Sequence, residues 1–185
     1  MSYVVYQGED SIANVTDTTF TVEGLDVYTD YSFTVTALRN AQAETSAVVT
    51  AKTLDLTIAA PANLVAEATS ATEIVLTWEA AENALGYNIY EIVSGNAEYI
   101  DMAEGTTYTV TGLTPNTPYF FAVTAVRNEQ ESERTENVYA MTNDLVPGAP
   151  SNLVATTMDA TSIGLTWDAG ENATGYNVNR DGALV

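Results

Sequence analysis

The chain has 185 residues and carries 25 acidic against 5 basic side chains, a net charge of −20, with neither cysteine nor histidine. That composition excludes thiolate nucleophiles, imidazole bases, Ser-His triads and ordinary zinc sites together, and its few scattered cations (Arg39, Lys52, Arg127, Arg134, Arg180) disfavour nucleic acid and anionic membrane surfaces. Apolar residues make up 46%, enough for a packed core, but no run of about 18 of them exists, so membrane insertion is not expected.

From the N-terminus, Met1 is followed by strand-like Tyr3-Val-Val-Tyr6 rather than by a basic segment and an apolar run. An export signal would therefore lie outside these residues. Tyr31-Ser-Phe-Thr-Val-Thr-Ala37 reads as a second strand. Residues 53–61 form a short junction with apolar Leu56 and Ile58. Pro61-Ala-Asn-Leu-Val-Ala66 opens a new strand, and Ile74, Leu76 and Trp78 alternate with Val75 and Thr77 in the next. Tyr87 and Ile89 share one face of the following strand. Thr106–Thr111 buries Tyr108 and Val110. Pro118–Val126 places Tyr119, Phe121, Val123 and Ala125 on one side, and a last strand runs near Glu136–Thr142. A second junction, residues 142–150, carries Leu145 and Val146 and leads to Ile163–Trp167 and Gly175-Tyr176-Asn177. No segment shows a helical stripe. Seven short strands between Pro61 and Thr142 read as an antiparallel sandwich.

The same text recurs. Pro61 and Pro150, Trp78 and Trp167, and Gly86 and Gly175 are each 89 residues apart, within matching segments. Tyr31–Asn40 matches Tyr119–Asn128 at a spacing of 88. A fixed period means one folded unit repeated. The chain thus reads as the later part of one unit over 1–54, a complete unit over 60–143, and the earlier part of another over 149–185. The outer two are expected to expose an open core face, completed either by further copies in tandem or by head-to-tail exchange of strands between chains.

The motifs carry a family likeness. Pro61-x-Asn-Leu, Trp78, Tyr87 and Leu113-Thr-Pro115-x-Thr117-x-Tyr119-x-x-x-Val123-x-Ala125 resemble fibronectin type III modules, of the bacterial kind found in secreted or surface proteins. The resemblance implies an all-β fold of tandem immunoglobulin-like sandwiches, one complete and two partial. It also implies a tyrosine corner, in which the Tyr119 hydroxyl bonds to backbone just upstream. Tyr31, Val35 and Ala37 match that stretch in the opening unit, where Leu25-Asp-Val27 stands in place of Leu-Thr-Pro115.

Candidate chemistry is sparse. Glu79 with Glu82, and Asp168 with Glu171, flank a turn after each Trp strand. A carboxylate pair needs an apolar cleft to hold a proton, and module edges offer none, so no catalytic residue is expected. Calcium at a junction, through Asp55 or Asp144 with neighbouring carbonyls, is the one metal reading left; no cofactor is expected. Arg180-Asp-Gly182 and Leu25-Asp-Val27 read as turns. Asn14-Val-Thr16 and Asn172-Ala-Thr174 are glycosylation acceptors only in a host with that machinery. A lone Lys52 marks no isopeptide cross-link. Short apolar junctions suggest docked neighbours, with Leu56, Ile58, Leu145 and Val146 buried. The leading functional reading is a non-catalytic extracellular or cell-surface segment of a stalk, fibre or filament. Its partners are then further copies of the same module. The alternatives are a spacer or accessory binding module of a secreted carbohydrate-active enzyme, and an adhesin module binding a surface protein or glycan.

Overall fold

The computed structural model describes every residue from Met1 to Val185 and contains strands and turns but no helix. The residues fall into two compact units, Met1–Thr57 and Ile58–Val185. In the first, β1 (Ser2–Gln7), β2 (Asp10–Val15), β3 (Asp30–Arg39), β4 (Gln42–Thr45) and β5 (Val49–Lys52) make one antiparallel sheet in the order β2-β1-β3-β4, with β5 also on β3. Thr19–Val22, the counterpart of a strand in the next unit, forms none. The strand that would pair with it has no equivalent in residues 1–57.

The second unit contains the complete sandwich. Strands β6 (Ala62–Ala68), β7 (Ile74–Glu79) and β10 (Thr107–Val110) form one sheet in the order β10-β7-β6. The larger sheet contains β8 (Gly86–Val93), β9 (Asn96–Ala103), β11 (Pro118–Arg127), β12 (Gln130–Glu131) and β13 (Val138–Met141), in the order β12-β11-β8-β9 with β13 on β11. Alternation dictates what lies between the sheets. Ile74, Leu76, Ile89, Phe121 and Val123 are all 0% exposed, and Trp78, Tyr87 and Ala125 complete the same core. Trp78 and Tyr87 meet edge to face at 5.3 Å.

Several sequence signals acquire a physical reason. The Asn of Pro-x-Asn-Leu supplies a bulge: Asn63 and its repeat Asn152 have φ of 52° and 53°, where the register of each first strand shifts. Asn tolerates that left-handed region better than most residues. The tyrosine corner forms in both units. The Tyr119 hydroxyl accepts from Thr114 N–H at 2.9 Å, and the Tyr31 hydroxyl from Asp26 N–H at 2.9 Å, although the first corner has no proline.

The last strand expected near Glu136–Thr142 forms as β13, and an additional short piece, β12, pairs with β11 ahead of it, with an irregular stretch between the two. Across that gap Ser132 and Thr135 pair with β11 twice each, first by backbone N–H to Ala125 O and Val123 O, both at 2.9 Å, and then through the side-chain oxygen. Ser132 Oγ accepts from Ala125 N–H at 2.9 Å and Thr135 Oγ1 from Val123 N–H at 3.0 Å. Ser46 does the same for Val35 N–H in the first unit.

Beyond the sandwich, β14 (Ser151–Thr157) pairs with β15 (Ile163–Asp168), and β16 (Asn179–Arg180) with β17 (Ala183–Leu184). The strand expected at Gly175–Asn177 is not formed, although Trp167 and Tyr176 still meet edge to face at 5.5 Å. In the complete sandwich that strand is held by β11, and residues 149–185 contain no counterpart of β11. Ile163, whose counterpart Ile74 is fully buried, is 66% exposed.

Candidate functional site

The residues singled out in the sequence find local, structural explanations. Glu79, Glu82, Asp168 and Glu171 are all exposed. Asp168 accepts a hydrogen bond from Asn152, which locks the bulge to the neighbouring strand. Asp55 and Asp144 each accept from the next backbone N–H, of Leu56 at 2.8 Å and Leu145 at 2.7 Å. No group of three or more acidic side chains is placed to hold a metal ion. Asp181 and Gly182 form the left-handed turn between β16 and β17. Leu25-Asp-Val27 is the tyrosine-corner turn itself. Asn14 and Asn172 are exposed, and the Lys52 ammonium sits 3.2 Å over the Tyr28 ring.

A depression of about 630 Å³ lies in the first unit and is lined by Tyr3, Val5, Phe33 and Val35 among others. By the repeat these are the counterparts of Tyr87, Ile89, Phe121 and Val123. It is therefore a core face without covering strands and not a ligand pocket.

A different feature appears on the outer face of the larger sheet, and sequence reading passed it over. Strand parity puts Phe120, Ala122 and Thr124 of β11 there, with Asn88 and Tyr90 of β8, Tyr99 and Met102 of β9, and Tyr139 and Met141 of β13. Phe120 lies opposite Tyr139 with ring centroids 5.4 Å apart, and Tyr90 opposite Tyr99 at 6.0 Å. Tyr99, Phe120 and Tyr139 are 58%, 44% and 54% exposed.

Beside the rings sits Glu131 at the end of β12. Its Oε1 accepts from Thr124 Oγ1 at 2.6 Å, Asn88 Nδ2 at 3.0 Å and the Tyr90 hydroxyl at 2.5 Å. Partial burial pushes this carboxyl up, but the bonds from Thr124, Tyr90 and Asn88 outweigh it and hold the group below the usual carboxylate range. Burial and the neighbouring carboxylate raise the Tyr90 phenol. Glu91, at the edge of the same strand, is raised by burial and then by Glu98 directly opposite.

A folded pKa below the unfolded one means that Glu131 stabilises above its unfolded pKa. That contribution disappears as pH falls through the folded value. Glu131→Gln is accordingly expected to lose about 1 kcal/mol at pH 7, discounted for exposure, and nearly nothing well below the carboxylate range. Urea unfolding at the two pH values checks this, and a pH-independent loss would contradict it.

Comparison with known proteins places this geometry. Residues 59–140 match the Fibronectin type III domain. The chain is 30% identical over 184 residues to Chitinase A1 of Niallia circulans, covering 95% of this chain and 25% of that protein. It is 30% identical over 210 residues to Exoglucanase B of Cellulomonas fimi, covering 99% of this chain and 19% of that one. The chain thus spans a quarter or less of the length of these relatives. Among solved structures, the chicken CNTN1 FN1–FN3 domains align with a TM-score of 0.50 at 18% identity, over 77% of this chain and 54% of that one. The fold of the complete sandwich, its tyrosine corner and the match agree: residues 59–140 belong to the fibronectin type III family.

Proposed function

We propose that the chain is a non-catalytic, extracellular spacer segment of a larger protein, serving in a stalk or fibre, with a short, pinned junction after its complete module. One observation carries this reading. The junction after the complete sandwich is tied by backbone hydrogen bonds at both ends. Asn143 N–H donates to Ser70 O at 3.1 Å on the sandwich side, and Gly148 N–H donates to Glu171 O at 2.7 Å on the other. Only residues 144–147 lie between, and one of them is Pro147. The unpinned stretch is thus four residues long, with the φ of Pro147 fixed by its ring.

Apolar docking at the junctions, which the sequence suggested, does not support this reading. Of the four junction residues, only Ile58 packs against the core of the sandwich. Leu56 and Leu145 are partly exposed and Val146 is 83% exposed. Backbone pairing takes the place of buried side chains.

Gly170 makes the second pin possible. A Cβ on it would stand 2.1 Å from the carbonyl oxygen of Gly148, so no other residue fits without moving the backbone. Gly170→Ala is expected to break the Gly148–Glu171 bond and speed exchange of the Gly148 amide by at least about tenfold. The complete sandwich should keep its stability. An unchanged Gly148 amide in the variant would refute the pinned junction. The same reading places the chain outside the cell, in keeping with the polysaccharide-degrading names of two relatives. No helix is long and apolar enough to cross a membrane.

A second reading, an accessory binding module, is favoured by the exposed aromatic rings on the outer face of the larger sheet.

A further inference from the structure

The fold does not need those rings. The first unit builds the same sheet, and its repeat positions show what the fold alone requires. Where the complete sandwich pairs Phe120 with Tyr139, the first sheet pairs Ser32 with Thr50. Where it pairs Tyr90 with Tyr99, the first sheet pairs Tyr6 with Ser11. The position of Glu131 holds Ala43, opposite Leu38 as Glu131 is opposite Val126. The first sheet thus keeps the tyrosine at the Tyr90 position but closes with Ser11, Ser32 and Thr50 where Tyr99, Phe120 and Tyr139 stand. Exposing three aromatic rings to water costs solvation free energy and does not improve the core, so their placement calls for a ligand.

We propose that the outer face of β9-β8-β11-β13 binds a neutral polysaccharide chain, with Tyr99, Phe120 and Tyr139 stacking on sugar faces and Glu131 and Arg134 hydrogen-bonding to hydroxyls. The inference deepens the accessory-module reading given above. The chemistry fits a polyhydroxylated, uncharged ligand in three ways. Sugar rings present apolar C–H faces to aromatic rings and hydroxyls around the rim, and this surface has rings at its centre and a carboxylate beside them. All three donors on Glu131 address Oε1, which leaves Oε2 to accept from a ligand hydroxyl. The chain carries a net charge of −20, which opposes an anionic polymer but is indifferent to a neutral one.

The shape also suits a chain. Glu131, Arg134, Tyr90 and Ala97 border a shallow hollow of about 420 Å³ that opens onto the sheet. The three interstrand spacings from β13 to β9 span about 14 Å, which matches an oligosaccharide better than a single sugar.

The test uses the full 185-residue chain and two probes, cellohexaose and N-acetylated chitohexaose, titrated into the millimolar range while backbone amide shifts are followed. At least one probe should shift amides of β8, β9, β11 and β13 and leave the first unit unmoved. Transplanting the first sheet's residues, as Tyr99→Ser, Phe120→Ser and Tyr139→Thr together, should abolish those shifts with the sandwich still folded. The single Tyr99→Ser, at an exposed edge position, should weaken binding about fivefold, the loss of one stacking contact. It keeps the test decisive if the triple variant does not fold. Absence of shifts with both probes would overturn the proposal, as would shifts that persist in the variants. Concentration-dependent shifts on this face without sugar would overturn it in favour of a protein interface. None of these failures touches the Gly148 amide, so the spacer reading stands or falls separately.

Discussion

Phe121→Ala is expected to bring the complete sandwich close to unfolding, whereas the same change at its repeat position, Phe33→Ala, is expected to cost much less. Phe121 is 0% exposed and belongs to the core cluster between the two sheets. Truncating such a ring costs about 3–5 kcal/mol, the sum of lost transfer free energy and the cavity left behind. A domain of this size has about 5–15 kcal/mol in total, and small sandwiches lie at the lower end. Phe33 occupies the same register in the first sheet, but only half buried, because no strand covers that face. Its loss should be about 1–2 kcal/mol. Urea unfolding of each variant, followed by amide signals of β7 and β11 for one and of β1 and β3 for the other, separates the two. Equal losses would mean that the core face of the first unit is covered.

The second large effect is expected at Thr142. This side chain is 2% exposed and closes the tyrosine corner from the opposite strand. Its hydroxyl donates to Thr114 O at 2.6 Å and accepts from Thr117 N–H at 3.0 Å. Thr53 makes the same pair of bonds in the first unit, to Asp26 O at 2.6 Å and from Thr29 N–H at 2.9 Å. Thr142→Val preserves shape and removes both bonds, leaving a backbone donor and a backbone acceptor without that partner. About 2–3 kcal/mol should be lost. Thr142→Ser retains the hydroxyl and should recover most of it. A Val variant as stable as the parent would show that water replaces the hydroxyl at no cost.

These two sites show what was legible in the sequence. Trp78, Tyr87, Phe121 and the corner tyrosines stood out because they alternate, recur at a fixed spacing and carry a motif. All of them lie where that pattern puts them. Thr142 and the hydroxyls of Ser132 and Thr135 did not stand out. Each acts through backbone groups outside its own strand, and Ser and Thr are too common for that role to show. The break between β12 and β13 was hidden for the same reason. The strand expected at Gly175–Asn177 failed because a strand is a pairing, and its local residues do not determine whether the partner is there. The outer aromatic face was also missed. Period-2 alternation marks one side of a strand as buried, and Phe120, Tyr90 and Tyr139 fall on the other side, where rings are read as scattered surface residues. Only pairing β8 with β9 and β11 with β13 shows that they adjoin. The comparison that would have found them, position by position against the first repeat, was already available in the sequence.

The Asn63 and Asn152 pair makes a similar point. Both were legible as part of a motif, but their purpose, a left-handed bulge residue that re-aims the first strand, belongs to backbone geometry.

A stiff spacer is distinguished from a flexible tether by backbone ¹⁵N relaxation across residues 141–149 of the full chain. If the junction is pinned at Asn143 and Gly148, order parameters there should stay near about 0.8, close to the value of the flanking strands. Values below about 0.6 through 143–148, with the strands on either side remaining rigid, would mean a flexible tether and would contradict the account.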